Sequence, residues 1–460
     1  MRVLMVSSNT TLEPYPVYPL GCGMVTAALA RAGHEARQFD FLHSGSSLTA
    51  LEDAVRKFDP ELIGISIRNV DNVNYMNTQF YIDNVRTMVE TMRKAAGCKI
   101  VLGGPGFSLI PGPILERVGA DYGIIGEGEA LMVELAGNAS RGVYPQERLL
   151  GPETRLVRGE IPPALYDEEI MKFYAQSGGI ASVQTKRGCT HRCVYCSYPV
   201  LEGKQIRQRD AAAVVDDVEF LTRERNAKLI FFIDSVFNDD EGAYMEVVRE
   251  LEKRELDIKW TAFFKPSGLT EQNVALMKKT GLVSVEVGAD AACDTTLKKM
   301  GKDFLFEDII RANDLFAAHG VASANFFMFG GPGETEQTVH EGIANIRGLK
   351  NCVAIMFMGI RILPDTALAR IAQQQKIISA DDNLFGVTYY FSPEIQKDWL
   401  EKTLTEGFAG QRHCIFPPDS KTDSLRMLHK MGYSGPLWDL LYAPRSPRAR
   451  PPRENAATKG

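Results

Sequence analysis

The chain has 460 residues, 45% of them hydrophobic and 24% charged, which supports a large apolar core divided over two or three domains. A net charge of −6 gives no cationic footprint for a nucleic-acid partner, no run of about 18 apolar residues offers a transmembrane segment, and "MRVLMVSS" turns polar too soon for a secretory leader. Eight cysteines over this length do not make a disulfide framework, so the expected setting is reduced and cytoplasmic.

In chain order, short apolar runs alternate with helical periodicities. "RVLMVSS" predicts a buried strand, "GCGMVTAALARAGH" a helix ended by Gly33, and "ARQFDF" a second strand. "SLTALEDAVRKFDP" predicts a helix, "LIGISI" a third strand, and "IDNVRTMVETMRKAAG" a helix. "KIVLGGPG" is a fourth strand running into glycines, and "ADYGIIGEGEALMVELAG" a fifth strand and its helix. This alternation implies an α/β fold, a Rossmann-like parallel sheet over residues 1–140 covered on both faces, with ligands beyond the carboxyl ends of its strands. Residues 141–178 hold the turn-rich "GPETRLVRGEIPPALYD" and are expected to be a linker. A second series fills 179–375, with strands expected in "IASVQTKRGC", "AKLIFFIDSVF", "DIKWTAFFKP", "LVSVEVGAD", "VASANFFMFGGPGET" and "NCVAIMFMGIRILPDT". Six such βα units suggest a partial (βα)6 barrel of the TIM type, with its chemistry at the carboxyl ends of the strands. Residues 376–444 read as mostly helical, and the Pro/Arg-rich 445–460 as a disordered tail.

"KRGCTHRCVYCSYP" places Cys189, Cys193 and Cys196 in a C-x3-C-x2-C pattern, in a loop after the first strand of the second series. A closed zinc site needs four ligands, and His191 would crowd two of these cysteines at only two residues from each; no second C-x-x-C follows. Three thiolates suit a [4Fe–4S] cluster with one iron left open. The spacing, with the aromatic Tyr195 before the last cysteine, resembles the signature of the radical S-adenosylmethionine (SAM) superfamily. The resemblance implies that the open iron chelates the amino and carboxylate groups of SAM. Electron transfer from the cluster would then yield methionine and a 5′-deoxyadenosyl radical that takes hydrogen from an unactivated carbon. It also implies SAM contacts at Tyr195, at Asp234 after the second strand of that series, and at Arg207 or Arg209 for the methionine carboxylate. Gly330, Gly331 and Glu334 in "FFMFGGPGET" would lie along the adenine. "VEVGADAACDTTLKKMGK" resembles a segment of the superfamily in which Asp290 stands where the pattern has glutamate, and Lys302 fills its lysine position.

In the first series no G-x-G-x-x-G follows the first strand and no Walker pattern exists, which argues against a nicotinamide or nucleotide-triphosphate domain. "YPLGCGMVTAALARAGHEARQFD", "VLGGPGFS" and "ADYGIIGEGE" together resemble the cobalamin-binding domain that precedes the radical domain in cobalamin-dependent radical SAM enzymes. D-x-H-x-x-G, which would supply a histidine to cobalt, is absent. The resemblance therefore implies cobalamin without a histidine on its lower face. Ser7, Ser8 and Asn9 would meet the corrin amides, with Leu20 packed nearby. Gly103, Gly104, Gly126, Glu127 and Gly128 would flank the nucleotide tail. Arg68 and Asn69 would sit near the corrin face, Arg68 disfavouring water as an axial ligand.

The expected activity is C-methylation at an unactivated carbon, with a small-molecule substrate, apolar or flat if the aromatics of "TAFFKP", "ANFFMFGG" and "VTYYFSPE" line its pocket. An external one-electron reductant of flavodoxin or ferredoxin type would be the partner. Two alternatives stay open: a cyclisation, rearrangement or oxidation with the same cofactors, and a non-catalytic corrinoid or metal carrier.

Overall fold

A computed structural model describes residues 1–12, 15–151 and 155–442; the expected disordered tail lies outside them. The N-terminal half is a six-stranded, all-parallel sheet of β1 (Arg2–Ser7), β2 (Glu35–Asp40), β3 (Leu62–Ser66), β4 (Lys99–Gly103), β5 (Tyr122–Ile124) and β6 (Leu149–Leu150), in the order β2-β1-β3-β4-β5-β6. The inner strands β1, β3 and β4 are apolar at successive positions because both faces are covered. Val3 and Met5 pack with Cys22 and Leu29 of the helix Leu20–Arg31 and with Met132 and Leu135 of Glu129–Ala139. Leu4 and Val6 pack on the opposite face with Leu51 and Val55 of Leu48–Phe58 and with Val85 and Met88 of Ile82–Ala95. The order reverses at β1, so the crevice for a ligand opens beyond Ser7 and Ser66.

The segment expected as a linker is structured at both ends. Its residues 149–150 form β6, and Glu168–Ser177 is a helix whose first turn is capped by Asp167, which accepts from the Ile170 amide at 3.0 Å. Ile170, Met171 and Tyr174 of that helix join the barrel core.

The second half contains β7 (Ile180–Val183), the antiparallel pair β8 (Lys186–Arg187) and β9 (Arg207–Gln208), β10 (Leu229–Phe232), β11 (Trp260–Phe264), β12 (Leu282–Asp290), β13 (Ala322–Phe329) and β14 (Cys352–Met358). The pair β15 (Ile360–Arg361) and β16 (Tyr389–Tyr390) and finally β17 (Cys414–Ile415) complete it. Seven of these make one parallel sheet, β17-β14-β13-β12-β11-β10-β7. Laid flat, its edges would stand about 29 Å apart. Ile180 of one edge strand instead shares a core cluster with Val353, Ile355 and Ile415 of the other end, so the sheet curls into an open barrel. The six strands expected from the sequence are all present. The seventh, β17, comes from the region expected to be helical.

Buried charge joins the two halves. Arg361 Nε donates to Asp71 Oδ2 at 2.9 Å with both side chains 2% exposed, and Arg361 also donates to the Ile362 and Leu384 carbonyls. Arg187 pairs with Glu129 and Arg207 with Glu127. No helix among the described residues is long and apolar enough to cross a membrane.

Candidate active site

β7 and β8 carry the chain to Gly188, where only glycine fits: φ is +94° and a Cβ would lie 1.9 Å from the Gln205 carbonyl oxygen. The cysteine loop beyond it is held from three sides. The Cys189 amide donates to Gly203 O (3.0 Å), Val194 N–H to Met300 O (3.0 Å), and Leu368 N–H to Val194 O (2.7 Å). Cys189 is buried, and Cys193 and Cys196 are half-buried. Among the described residues, one trio of ligand-type side chains brings its atoms within 4.8 Å of one another: His191, Asp240 and Asp303. His191 turns its ring nitrogens toward Asp240 and Asp303, not into a shared site with the thiols. That leaves three thiols in the loop, one short of a closed zinc site and the number that a [4Fe–4S] cluster with an open iron takes. Burial pushes the Cys189 thiol up and Cys196 up to about 12, so loading the site must release protons.

Lys302 gives the loop its local positive charge. Its Nζ lies 3.2 Å from Cys193 Sγ and 3.3 Å from the Tyr195 hydroxyl, and it is ion-paired with Asp290. Despite a burial cost that works against its charge, Asp290 and Cys193 raise the Lys302 pKa. Asp290 has φ +65°, a left-handed conformation that aspartate adopts more readily than glutamate. The shorter acid at this position therefore suits the backbone as well as the ion pair.

The other expected SAM contacts are distributed differently. Asp234 is 1% exposed and accepts from the Thr185 and Lys186 amides at 2.7 and 3.2 Å, fixing the root of the cysteine loop. Glu334 accepts from the Gly330 and Gly331 amides, so its carboxylate shapes the glycine turn from within; burial pushes it up to about 7. Arg207 and Arg209, one of which was expected to meet a methionine carboxylate, already have acidic partners. Arg207 pairs with Glu127 and donates to Leu156 O (2.6 Å). Arg209, 3% exposed, reaches Asp217 at 2.8 Å and Gln184 O at 2.9 Å. Glu127, expected beside the nucleotide tail, is the same carboxylate that Arg207 holds, and burial is outweighed by its cationic partners, which lower its pKa.

At the crest of the N-terminal sheet, Ser7 and Ser8 are buried, with Ser8 Oγ donating to Ser66 O at 3.0 Å; Asn9 closes a turn onto Thr11. Arg68 and Asn69 are exposed beyond β3. Gly104 has φ +94°, and a Cβ there would meet Ile67 O at 2.6 Å; Gly103 is less constrained. Gly126 donates its amide to Ser108 Oγ at 2.9 Å, and Gly128 precedes the helix Glu129–Ala139. Leu20 packs with Tyr18 and Met24 toward the barrel core. Backbone amides, small residues and amide side chains at a strand-order reversal are donors suited to a corrin and its tail.

Sequence reasoning missed the cations just ahead of the first cysteine. Lys186 is 1% exposed and donates to Phe237 O (2.6 Å) and Asp239 (2.9 Å), while Arg187 reaches Glu129 in the other half. The adjacent pair in "KRGC" was the available signal.

The radical SAM superfamily model matches residues 183–344 and the B12 binding domain model residues 12–136. A tryptophan 2-C-methyltransferase of Streptomyces laurentii is 25% identical over 78% of this chain and 73% of its own length. An uncharacterised methyltransferase of Pyrococcus horikoshii is 26% identical over 71% and 72%. The solved radical SAM methyltransferase TsrM of Kitasatospora setae, with tryptophan and a SAM analogue, superposes with a TM-score of 0.84 at 24% identity, covering 94% of this chain and 96% of that one. The cofactors are a [4Fe–4S] cluster, SAM and cobalamin. Radical SAM chemistry requires an external one-electron reductant. With a B12 binding domain leading directly into a radical SAM barrel, the chain belongs to the cobalamin-dependent radical SAM enzymes.

Proposed function

We propose that the protein is a C-methyltransferase acting on an unactivated carbon of a small molecule. The observation that carries this is the direct contact between the two cofactor-bearing halves: Arg187, two residues before Cys189, is paired with Glu129 beyond β5. When bound, the corrin supplies a methyl-carrying cobalt, and the cluster with SAM supplies a hydrogen-abstracting radical.

This chain's residues bind and orient those groups. Cys189, Cys193 and Cys196 hold the cluster, and Lys302 offsets thiolate charge at Cys193. Tyr195, Asp290, Gly330 and Gly331 border SAM, while Asp234 and Glu334 fix the loops that do so. Ser7, Ser8 and Asn9 would meet the amides of a bound corrin, Gly103, Gly104, Gly126 and Gly128 would flank its tail, and Arg68 and Asn69 would sit near its face, where the Arg68 charge would discourage water. An Arg68→Ala variant with an unaltered cobalt spectrum would remove that role. The electron donor is of flavodoxin or ferredoxin type and the setting cytoplasmic, in keeping with eight free cysteines. An apolar or flat substrate accords with the aromatic lumen walls.

The test is anaerobic reconstitution with isotopically labelled SAM. Methylation releases S-adenosylhomocysteine alongside 5′-deoxyadenosine. A cyclisation, rearrangement or oxidation would give only 5′-deoxyadenosine, and a carrier would consume no SAM.

A further inference from the structure

Glu286 is a buried acid without a part in the cofactor sites. Val285 and Val287 point outward, packing with Val274, Met277 and Phe316 of the surrounding helices. Glu286 between them therefore points into the barrel, as do Phe263 and Ala324, its register partners on the neighbouring strands. It is 4% exposed. Among the described residues no cation pairs with it, and burial pushes its pKa up to about 7. Two neutral aromatic donors converge on it instead. Tyr15, from the loop between β1 and the helix Leu20–Arg31, donates its hydroxyl at 2.6 Å. The indole N–H of Trp438, from the C-terminal region, is buried and near enough to lower the carboxyl's pKa, yet makes no well-formed hydrogen bond. Each ring lies in an aromatic slot: Tyr15 edge-on to Phe231 with centroids 5.9 Å apart, Trp438 edge-on to Phe326 at 6.3 Å.

A lone carboxyl in an apolar lumen costs stability, and an apolar residue of similar volume would fill the space without that cost. What the position offers in return is recognition. A buried acceptor inside aromatic walls selects rings that carry a donor and rejects those that do not, because the rejected ring leaves the acceptor unpaired. Four residues further along the same strand, about 13 Å, Asp290 meets Lys302 beside Cys193. The lumen therefore lies beneath the cysteine loop.

We propose that Glu286 is the recognition group of a lumen subsite for an aromatic ring bearing an N–H or O–H donor, and that Tyr15 and Trp438 fill this subsite as internal stand-ins for that ring. The proposal rests on the methyl-transfer reading in taking the ring to be the substrate's, and it names the substrate's chemical class. A ligand would displace the Tyr15 hydroxyl from Glu286, so removing that hydroxyl removes a competitor while keeping the ring.

The test uses anaerobically reconstituted holoenzyme, with iron and cobalt content measured for each variant, and compares indole with 1-methylindole by calorimetry. Tyr15→Phe is expected to bind indole about fivefold more tightly than the wild type does, and about tenfold more tightly than it binds 1-methylindole. Adding Glu286→Leu, which removes the acceptor, should erase most of that tenfold preference. If the double variant does not fold, the indole to 1-methylindole ratio in Tyr15→Phe alone decides. Equal affinity for the two probes in cofactor-loaded Tyr15→Phe, or binding of neither, overturns the subsite. If that same sample still converts SAM to S-adenosylhomocysteine, the methyl-transfer reading survives the loss. A donor preference without S-adenosylhomocysteine would instead sink the methyl-transfer reading and keep the subsite.

Discussion

Lys302 touches Asp290, Cys193 and Tyr195 at once, so replacing it acts on three groups. Lys302→Met leaves Asp290 buried without a counter-charge, a loss of about 3–5 kcal/mol in the general case. The expected result is incomplete cluster loading and at least about tenfold less SAM turnover, read by iron content and by the paramagnetic signal after reduction. Glu334 makes a pH prediction. Its folded pKa, about 7, lies above the ordinary glutamate value, so the fold favours the protonated form. The stabilisation is complete below the unfolded value and is lost as pH rises through about 7. Unfolding free energy is expected to fall by up to about 3 kcal/mol over that window through this group. Glu334→Gln should flatten the dependence, as measured by urea denaturation at acid and neutral pH. The three cysteines could be read directly because their spacing is local. The partners of Arg207 and Arg209 could not. Glu127 lies 80 residues from Arg207 in the chain, and nothing in "QIRQRD" says that its cations meet carboxylates from another strand end and a helix.

At the scale of elements, what the sequence made legible follows burial. Strands covered on both faces announce themselves as apolar runs, which is why β1, β3, β10 and β13 stand out in "RVLMVSS", "LIGISI", "AKLIFFID" and "ANFFMF". β6 and β17 have two residues each, too few to carry a periodicity, and take their conformation from the strands they join. The helix Glu168–Ser177 hid behind the prolines and glycine of "RGEIPPALYD", although Asp167 is an ordinary N-cap. The turn after β4 carries a prediction of its own. Gly104→Ala forces a positive φ on alanine and drives its Cβ against Ile67 O, and is expected to cost about 1–3 kcal/mol. Because Ile67 precedes Arg68, the same change should lower corrin retention, measured as cobalamin absorbance that survives gel filtration.

Across the whole molecule, the Asp71–Arg361 pair fastens the segment after β3 to the far end of the barrel. Tyr75 of that segment packs against Tyr389 and Phe391, and Asn77 donates to Asp419 at 2.9 Å. Arg361→Met strands a buried aspartate, and a destabilisation of about 3–5 kcal/mol is expected. The charge-free double variant Asp71→Leu/Arg361→Met should recover much of it, a comparison that denaturant titration can make. The short strand β17 has a different consequence. It is the outermost member of the barrel sheet and covers the free side of β14. A protein shortened to end at Phe408 would bare a row of unpaired amides and carbonyls along β14, and would also lose Leu437 and Trp438 from the lumen. Exposed backbone of that kind recruits strands from other molecules. Such a shortened chain should gather into oligomers, visible by light scattering, before its N-terminal half has begun to unfold.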